Sequence, residues 1–400
     1  MRSVFIKDMV YRKARIVLTV ISVTFLVLLI LLMGGMMNGL KMQARDYVQS
    51  VSRQAGSGIV WISSEHSGST FAGFSLINSE HLEVLSQLKG VDKETPLSPL
   101  IFAQARPVIK GKEKKAVVVG YKQGKLGGPS RDDVEKTGDP ASPFYPIMGR
   151  VFQPGKYDDY RPTDIPPPEV IVDDWVGLEE GESIELAGEA LTVVGKTKGR
   201  LFVFDTPLLF MDIRTAQNTV LSNIIYVNTI LIKVADGYSE AQLANDIKEA
   251  KDQAGISIDV HTGEQIVDII MANFVDEPMK GVRALRAMLW LAAGIIVSMI
   301  TYVTTMEKSR EIGVLKAIGA SDKYVVLLTL KQVMIMTFTG VILGIILAYL
   351  AAQVFPIMVL ISSSESVIVA VITMAICSYG GYVAAKRTAA VDPMIAFRGR

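Results

Sequence analysis

Residues 16–37 read IVLTVISVTFLVLLILLMGGMM, an apolar stretch without a single charge. A bilayer's hydrocarbon core is about 30 Å thick and takes roughly 20 apolar residues in helical form, so this stretch predicts a membrane-spanning helix. Three more apolar runs follow in the last third of the chain, at residues 285–303, 333–350 and 367–385. Together they explain a composition no ordinary soluble domain has, 50% hydrophobic and 20% charged over 400 residues. Four spans is the simplest count.

A secretory signal peptide is the alternative for the first run, because Arg2, Lys7, Arg12, Lys13 and Arg15 precede it. The run exceeds the roughly 7–15 residues of a signal h-region, and it continues into NGLKMQARDYV from Asn38, which reads as helix running outward. A retained anchor is therefore expected, and with no cysteine nearby it is not a lipoprotein anchor. Basic flanks stay cytoplasmic, which puts the N-terminus inside. The loop with Lys308, Arg310, Lys316 and Lys323 and the tail with Lys386, Arg387, Arg398 and Arg400 then fall inside too. The connection QVFPIMVLISSSES, from Gln353, has no basic residue and falls outside. The expectation is a multi-pass protein of a bacterial cytoplasmic (inner) membrane with both termini in the cytoplasm. Lys280, Arg283 and Arg286 run against the rule, on the outer side of the second span. Their spacing places them on one helical face, as a polar stripe or as snorkelling side chains.

Several functions are disfavoured. With 41 Lys and Arg against 40 Asp and Glu, the chain offers no general polyanion surface, so nucleic acid is not an expected partner. One cysteine, Cys377, excludes a disulfide framework and a paired-cysteine zinc site, and His66, His81 and His261 are scattered without ligand spacing. The GKT at Gly195 is not a phosphate-binding loop, because the motif wants glycine five positions earlier and Ala190 stands there; it reads as a turn. No catalytic, cofactor or metal residues are expected, so the chain reads as non-catalytic.

Between the first two spans, residues 38–282 have soluble composition and read as a folded extracytoplasmic domain. Its two ends look alike. Strand GIVWIS from Gly58, helix SEHLEVLSQLKG from Ser79 and strand LIFAQA from Leu100 are matched by NTILIKV from Asn228, SEAQLANDIKEAKDQAG from Ser239 and ISIDV from Ile256. Each helix opens on serine and closes on glycine, as capping requires. The fold class is thus four transmembrane helices with a large α+β outer domain, two β-α-β halves plus a β-rich insertion at about 122–214. The domains run 1–40 (cytoplasmic N-terminus and first span), 41–282 (outer core), 283–385 (spans two to four, with a cytoplasmic loop at 306–323) and 386–400 (cytoplasmic tail). Residues 38–52 and 264–280 would prolong spans one and two as a stalk, with Pro278 kinking or ending the second stalk helix.

The strongest local signal is the loop MEKSREIGVLKAIGASDKY from Met306. It reads as a short helix, with Glu307 and Glu311 one turn apart near its start and Lys316 towards its end, matching the helix dipole. Ile312, Leu315 and Ile318 recur every three residues as an apolar edge, for a membrane surface or a partner. Gly319 suits a helix stop, and Ser321 or Asp322 a cap for the third span.

The string SREIGVLKAIGAS in that loop closely resembles the coupling segment of the MacB/FtsX family of ABC transporter permeases. VDPMIAFRGR at the C-terminus is similar to that family's ending, and EEGESIELAGEALTVVGKT looks like a strand pair of its outer domain. The plan of one span, a large outer domain and three spans is also shared. The resemblance implies a stand-alone permease subunit similar to DevC, HrtB or LolC/LolE, without the N-terminal ATPase fused in MacB. It implies a dimer, homodimeric or with a heterodimer as alternative, working with two copies of an ABC ATPase that binds ATP and Mg. A membrane-fusion adaptor and the lipid bilayer complete the implied partners. Carried over, Glu311, Ile312, Gly313, Leu315, Lys316, Ala317, Gly319 and Ala320 would dock into the ATPase, and its closure would move the outer domains. The implied function is export or extraction of a hydrophobic or amphipathic substrate. The alternative is an FtsX-like mechanotransmitter that regulates a periplasmic or cell-wall enzyme without transport.

Overall fold

A computed structural model of the chain describes residues 13–69, 71, 75–77, 83–95, 97–134, 143–145, 147–153, 157–158, 161–162, 167–222, 224, 226–355 and 358–389. Arg2, Lys7 and Arg12, the start of the helix expected at Ser79, His81, and the VDPMIAFRGR tail lie outside them. The longer helices are α1 (Lys13–Ala55), α2 (Ile213–Val220), α3 (Glu240–Ala254), α4 (Gly263–Ile270), α5 (Glu277–Glu307), α6 (Ser309–Ala317), α7 (Asp322–Ala352) and α8 (Ser363–Ala389). The chain divides into two compact units, one made of Met1–Gly39 with Pro278–Arg400, the other of Leu40–Glu277.

In the first unit, all four apolar runs lie in helices long and apolar enough to cross a membrane. Lipid is as apolar as leucine, so such helices associate through close fit and small residues. On α7, Gly340 and Gly344 stand one turn apart against α1. A Cβ at Gly340 would come within 2.9 Å of Val23, and one at Gly344 within 2.8 Å of the Thr24 carbonyl oxygen. The Thr24 hydroxyl donates to the Gly340 carbonyl at 3.1 Å. On α8, Gly380 faces the Gly294 carbonyl of α5 and Gly381 faces Val333 of α7, with added Cβ atoms at 2.7 and 3.0 Å. Val23, Val27, Ile30 and Leu31 of α1 join Ala293 and Val297 of α5, Val333 and Val341 of α7, and Val369 and Cys377 of α8 in the buried centre.

The second unit is built on one mixed sheet. Its longer strands are β1 (Ile59–Ser64), β2 (Ser98–Ala105), β3 (Ala116–Tyr121), β4 (Glu169–Asp173), β5 (Ser183–Leu186), β6 (Glu189–Thr197), β7 (Thr206–Asp212), β8 (Thr229–Lys233) and β9 (Ile258–Thr262). Their order is β9-β1-β8-β2-β3-β7-β4-β6-β5. The two β-α-β halves interleave: β1 lies between β8 and β9, antiparallel to both, and β8 pairs antiparallel with β2. This is the split β-α-β arrangement. Alternating residues Val60, Ile62, Ile101, Ile230, Ile232 and Val260 face one core with Leu243 and Ile247 of α3.

The insertion's strands share that sheet. β7 pairs in parallel with β3 and antiparallel with β4, and β4 pairs in parallel with β6. The GKT expected to be a turn is the end of β6, where the register shifts between Val193 and Gly195. Glycine is needed there because a Cβ would collide with the Arg150 carbonyl oxygen. Arg150 meets Glu169 at 2.5 Å. Burial alone would raise the Glu169 carboxyl, but the Arg150 hydrogen bond and the Gln153 N–H outweigh it and hold the group below its ordinary value.

Helix α3 is bounded as its sequence dictates, by a Ser239–Gln242 capping box and by Gly255 at φ 63°. The first half differs. Among the described residues its helix is one turn, Glu83–Ser86, because Gln87 and Leu88 donate to the carbonyls of Val84 and Leu85 and tighten the chain into turns. Pro278 neither ends nor breaks its helix: residues Gly263–Glu307 form one helical run. A π-helical segment, Met271–Asp276, precedes the proline, and its wider turn accommodates the residue that has no N–H to give.

Residues 40–55 of α1 belong to this outer unit and are held by specific bonds. The Tyr47 hydroxyl donates to the Gly127 carbonyl at 2.9 Å. Gln54 donates to the Gly128 carbonyl at 2.8 Å and accepts from the Gly127 N–H at 3.0 Å. Arg200 bonds Asp46 at 3.2 Å and Ser50 at 3.3 Å, and Gln43 bonds Asp205. Around Tyr47, the rings of Trp61, Phe71, Phe102, Phe202 and Phe274 form a contiguous aromatic cluster.

Candidate coupling site

The segment between the second and third spans folds as a separate short helix. Lys308, at φ −86° and ψ 5°, leaves helical geometry and divides α5 from α6. Glu307 is therefore the last residue of α5 and does not share a helix with Glu311, which opens α6. At the other end, the Gly319 N–H donates to the Lys316 carbonyl at 2.9 Å and the Ala320 N–H to the Leu315 carbonyl at 3.0 Å. With Gly319 at φ 100°, this is a Schellman stop, whose left-handed residue is costly for any side chain larger than hydrogen. Ser321 then caps α7, its hydroxyl accepting from the Tyr324 N–H at 3.3 Å.

These caps fix which residues face outward. Glu311 is exposed, Ile312 half-buried and Gly313 buried. Val314, Leu315 and Ile318 form an apolar face, with Ile318 80% exposed. The apolar edge thus runs through Val314, Leu315 and Ile318, and Ile312 turns partly inward. Lys316 is used differently: its ammonium meets the Asp322 carboxylate at 2.6 Å, tying α6 to the first turn of the third span. Ala317 ends the helix, and Ala320 lies half-buried in the connection to α7. An exposed apolar face on a braced, two-turn helix can bind a complementary groove with little loss of its own freedom.

Comparison with known proteins gives the family. A family model described as the MacB-like periplasmic core domain matches residues 16–250, more than half of the chain. A second, the FtsX-like permease C-terminal model, matches residues 284–393 and so includes α6. The chain belongs to the MacB/FtsX family of ABC transporter permeases. It is 22% identical over 399 residues to an uncharacterized ABC transporter permease of Mycobacterium tuberculosis, covering 98% of each chain. It is 30% identical over 113 residues to a Staphylococcus epidermidis protein named as hemin transport system permease HrtB, 28% of this chain and 32% of that one. The solved periplasmic region of MacB from Actinobacillus actinomycetemcomitans aligns at 14% identity and a TM-score of 0.35, over 55% of this chain and 95% of that one. The family and the four apolar helices make this permease an inner-membrane protein, and the family implies an ATPase partner.

The permease has a second polar constellation in its membrane unit that spacing did not indicate. Arg286 on α5, one of the basic residues that contradicted the charge rule, pairs with Glu365 in the first turn of α8 at 3.0 Å. Asn38 on α1 donates to the same carboxylate at 2.7 Å and to the Leu360 carbonyl at 3.2 Å. The Arg286 guanidinium also lies 5.8 Å from the Trp290 ring centre. Three helices are thus joined by one carboxylate, and the pair is mostly shielded, at 17% and 16% side-chain exposure. The available signal was a lone carboxylate in the otherwise uncharged connection between the third and fourth spans, and an arginine at odds with the charge rule. Glu365→Ala should cost on the order of 3 kcal/mol by stranding the arginine, lowering the melting temperature of the detergent-solubilised permease. The double change Arg286→Met/Glu365→Leu should recover most of that loss; equal melting of wild type and Glu365→Ala would refute the pairing.

Proposed function

We propose that the chain is the non-catalytic membrane subunit of an ABC-type exporter, driven by two copies of a separate ATPase that hold ATP and Mg. The observation that carries this reading is α6, whose exposed Val314, Leu315 and Ile318 sit on a helix tied to the third span through Lys316 and Asp322. Glu311, Ile312, Gly313, Leu315, Lys316, Ala317, Gly319 and Ala320 form the docking segment, with Val314 and Ile318 added by their exposure. The α6 side and both termini face the cytoplasm, and Leu40–Glu277 faces outward. A homodimer is the working unit. Closure of the ATPases pushes α6, the push passes to the spans, and residues 40–55, bonded into the outer unit through Tyr47, Gln54 and Arg200, move that unit with α1.

The cargo in this reading is hydrophobic or amphipathic and is moved on the outer side. A cleft lined by Thr19, Thr301, Thr305 and Gln332 inside the helix bundle encloses about 30 Å³, room for a water or two. That supports a route outside the single protomer's bundle. The test is reconstitution of the permease with its ATPase in vesicles. Hydrolysis stimulated severalfold with ATP-dependent release of an amphipathic dye supports export. Stimulated hydrolysis without release favours the mechanotransmitter, and no stimulation overturns the coupling role.

A further inference from the structure

A groove of about 420 Å³ opens between the first turns of α7 and the last turns of α8. Its lining is graded. Lys323 and Lys386 stand at the helix ends, while Val326, Leu327, Leu330 and Tyr382 line the part that lies deeper along the helices. From Lys323 to Leu330 the axial rise is about 10 Å, the distance over which a phospholipid changes from phosphate to acyl chain. Lys323, Lys386, Leu327 and Tyr382 are all exposed.

The charge balance selects the ligand. Asp322 is the carboxylate in the lining, and the Lys316 ammonium holds it at 2.6 Å. Among the described residues no ion pair forms to Lys323 or Lys386. Two uncompensated ammonium groups above an apolar floor match a phosphodiester with acyl chains, and a zwitterionic headgroup would bring its own cation against them. We propose that this groove is a binding site for an anionic phospholipid of the cytoplasmic leaflet. It rests on the topology proposed above for its leaflet, and on the groove alone for its headgroup. A lipid seated there holds the start of the third span at the point where α6 is tied to it, so the membrane's anionic content would tune the coupling joint.

The experiment is native mass spectrometry of the full-length chain in detergent, with dioleoyl phosphatidylglycerol and dioleoyl phosphatidylcholine in competition. The acyl chains being identical, only headgroup charge differs. At roughly fivefold per lysine, the wild type should retain phosphatidylglycerol at least about tenfold over phosphatidylcholine. Lys323→Gln/Lys386→Gln should bring the ratio close to one. Lys112→Gln/Lys114→Gln, with the same charge loss in the outer unit, should keep it. No headgroup preference in the wild type, a preference surviving in the groove variant, or an equal fall in both variants would overturn the site. The leaflet is tested separately: Lys323→Cys, in a chain whose native Cys377 is buried, should react with a membrane-impermeant maleimide only after the cells are opened. Reaction from outside would overturn the topology and leave headgroup binding as measured.

Discussion

Ile318→Asp and Glu311→Lys should each abolish stimulation of the partner ATPase while leaving the permease folded. Both side chains are exposed and neither anchors the helix, so the changes cost the fold little, within about 0.5 kcal/mol for surface sites. In the docked complex, however, Ile318 would be buried, and a carboxylate there would be desolvated without a partner. Losses at such interface positions run to about 2–4 kcal/mol, a weakening of roughly thirtyfold or more. Glu311→Lys reverses a charge at the start of α6, where the helix dipole already disfavours a cation. Binding of ATPase to vesicle-embedded permease, read beside the hydrolysis rate and the melting temperature, separates the effects. Weak binding at an unchanged melting temperature is the expected pattern. Normal binding and normal stimulation in Ile318→Asp would remove α6 from the contact altogether. Gly313→Val gives a third reading, because Gly313 is buried; it should lower stability and coupling together.

What the amino-acid order made legible was whatever depends on near neighbours. The spans follow from apolarity summed over one helix length, and the boundaries of α3 from Ser239 and Gly255, whose capping needs only residues within a turn. The stop at Gly319 and the cap at Ser321 were readable for the same reason. Pairings between distant residues were not. That the 122–214 strands would enter the same sheet as β1 and β8 depends on β7 finding β3, some ninety residues earlier by their paired residues Leu208 and Val117. The GKT segment looked like a turn because glycine favours turns locally; its neighbours across the sheet, residues 147–149 on one side and 171–173 of β4 on the other, made it a strand. Glu307 and Glu311 looked like one helical face because spacing carries no sign of the break at Lys308. Glu365 could be noticed as an isolated charge, but its meaning required Arg286 and Asn38 to arrive beside it from two other helices.

Gly344→Leu should be the most damaging single change in the membrane unit. The Cβ it adds would stand 2.8 Å from the Thr24 carbonyl oxygen and 2.8 Å from Val27. The first of these is backbone inside a helix and has no rotamer to yield, so α1 and α7 must separate. Overpacking of this kind costs about 1–3 kcal/mol even where neighbours can adjust. Here separation also weakens the bond from Thr24 to the Gly340 carbonyl, and lipid supplies no hydrophobic force to bring the helices back together. Gly340→Leu meets Val23 at 2.9 Å and the Val20 carbonyl at 3.1 Å, and should act in the same direction. Leu343→Ala is the control on the same helix: Leu343 is 42% exposed, and its truncation should change the melting temperature little. Thermal unfolding of the detergent-solubilised chain, followed by intrinsic fluorescence, should order the variants as wild type close to Leu343→Ala, then Gly340→Leu, then Gly344→Leu. If Gly344→Leu melts with the wild type, α1 and α7 are not held at glycine distance. The path by which a push on α6 would reach α1 through the third span would then have no rigid middle.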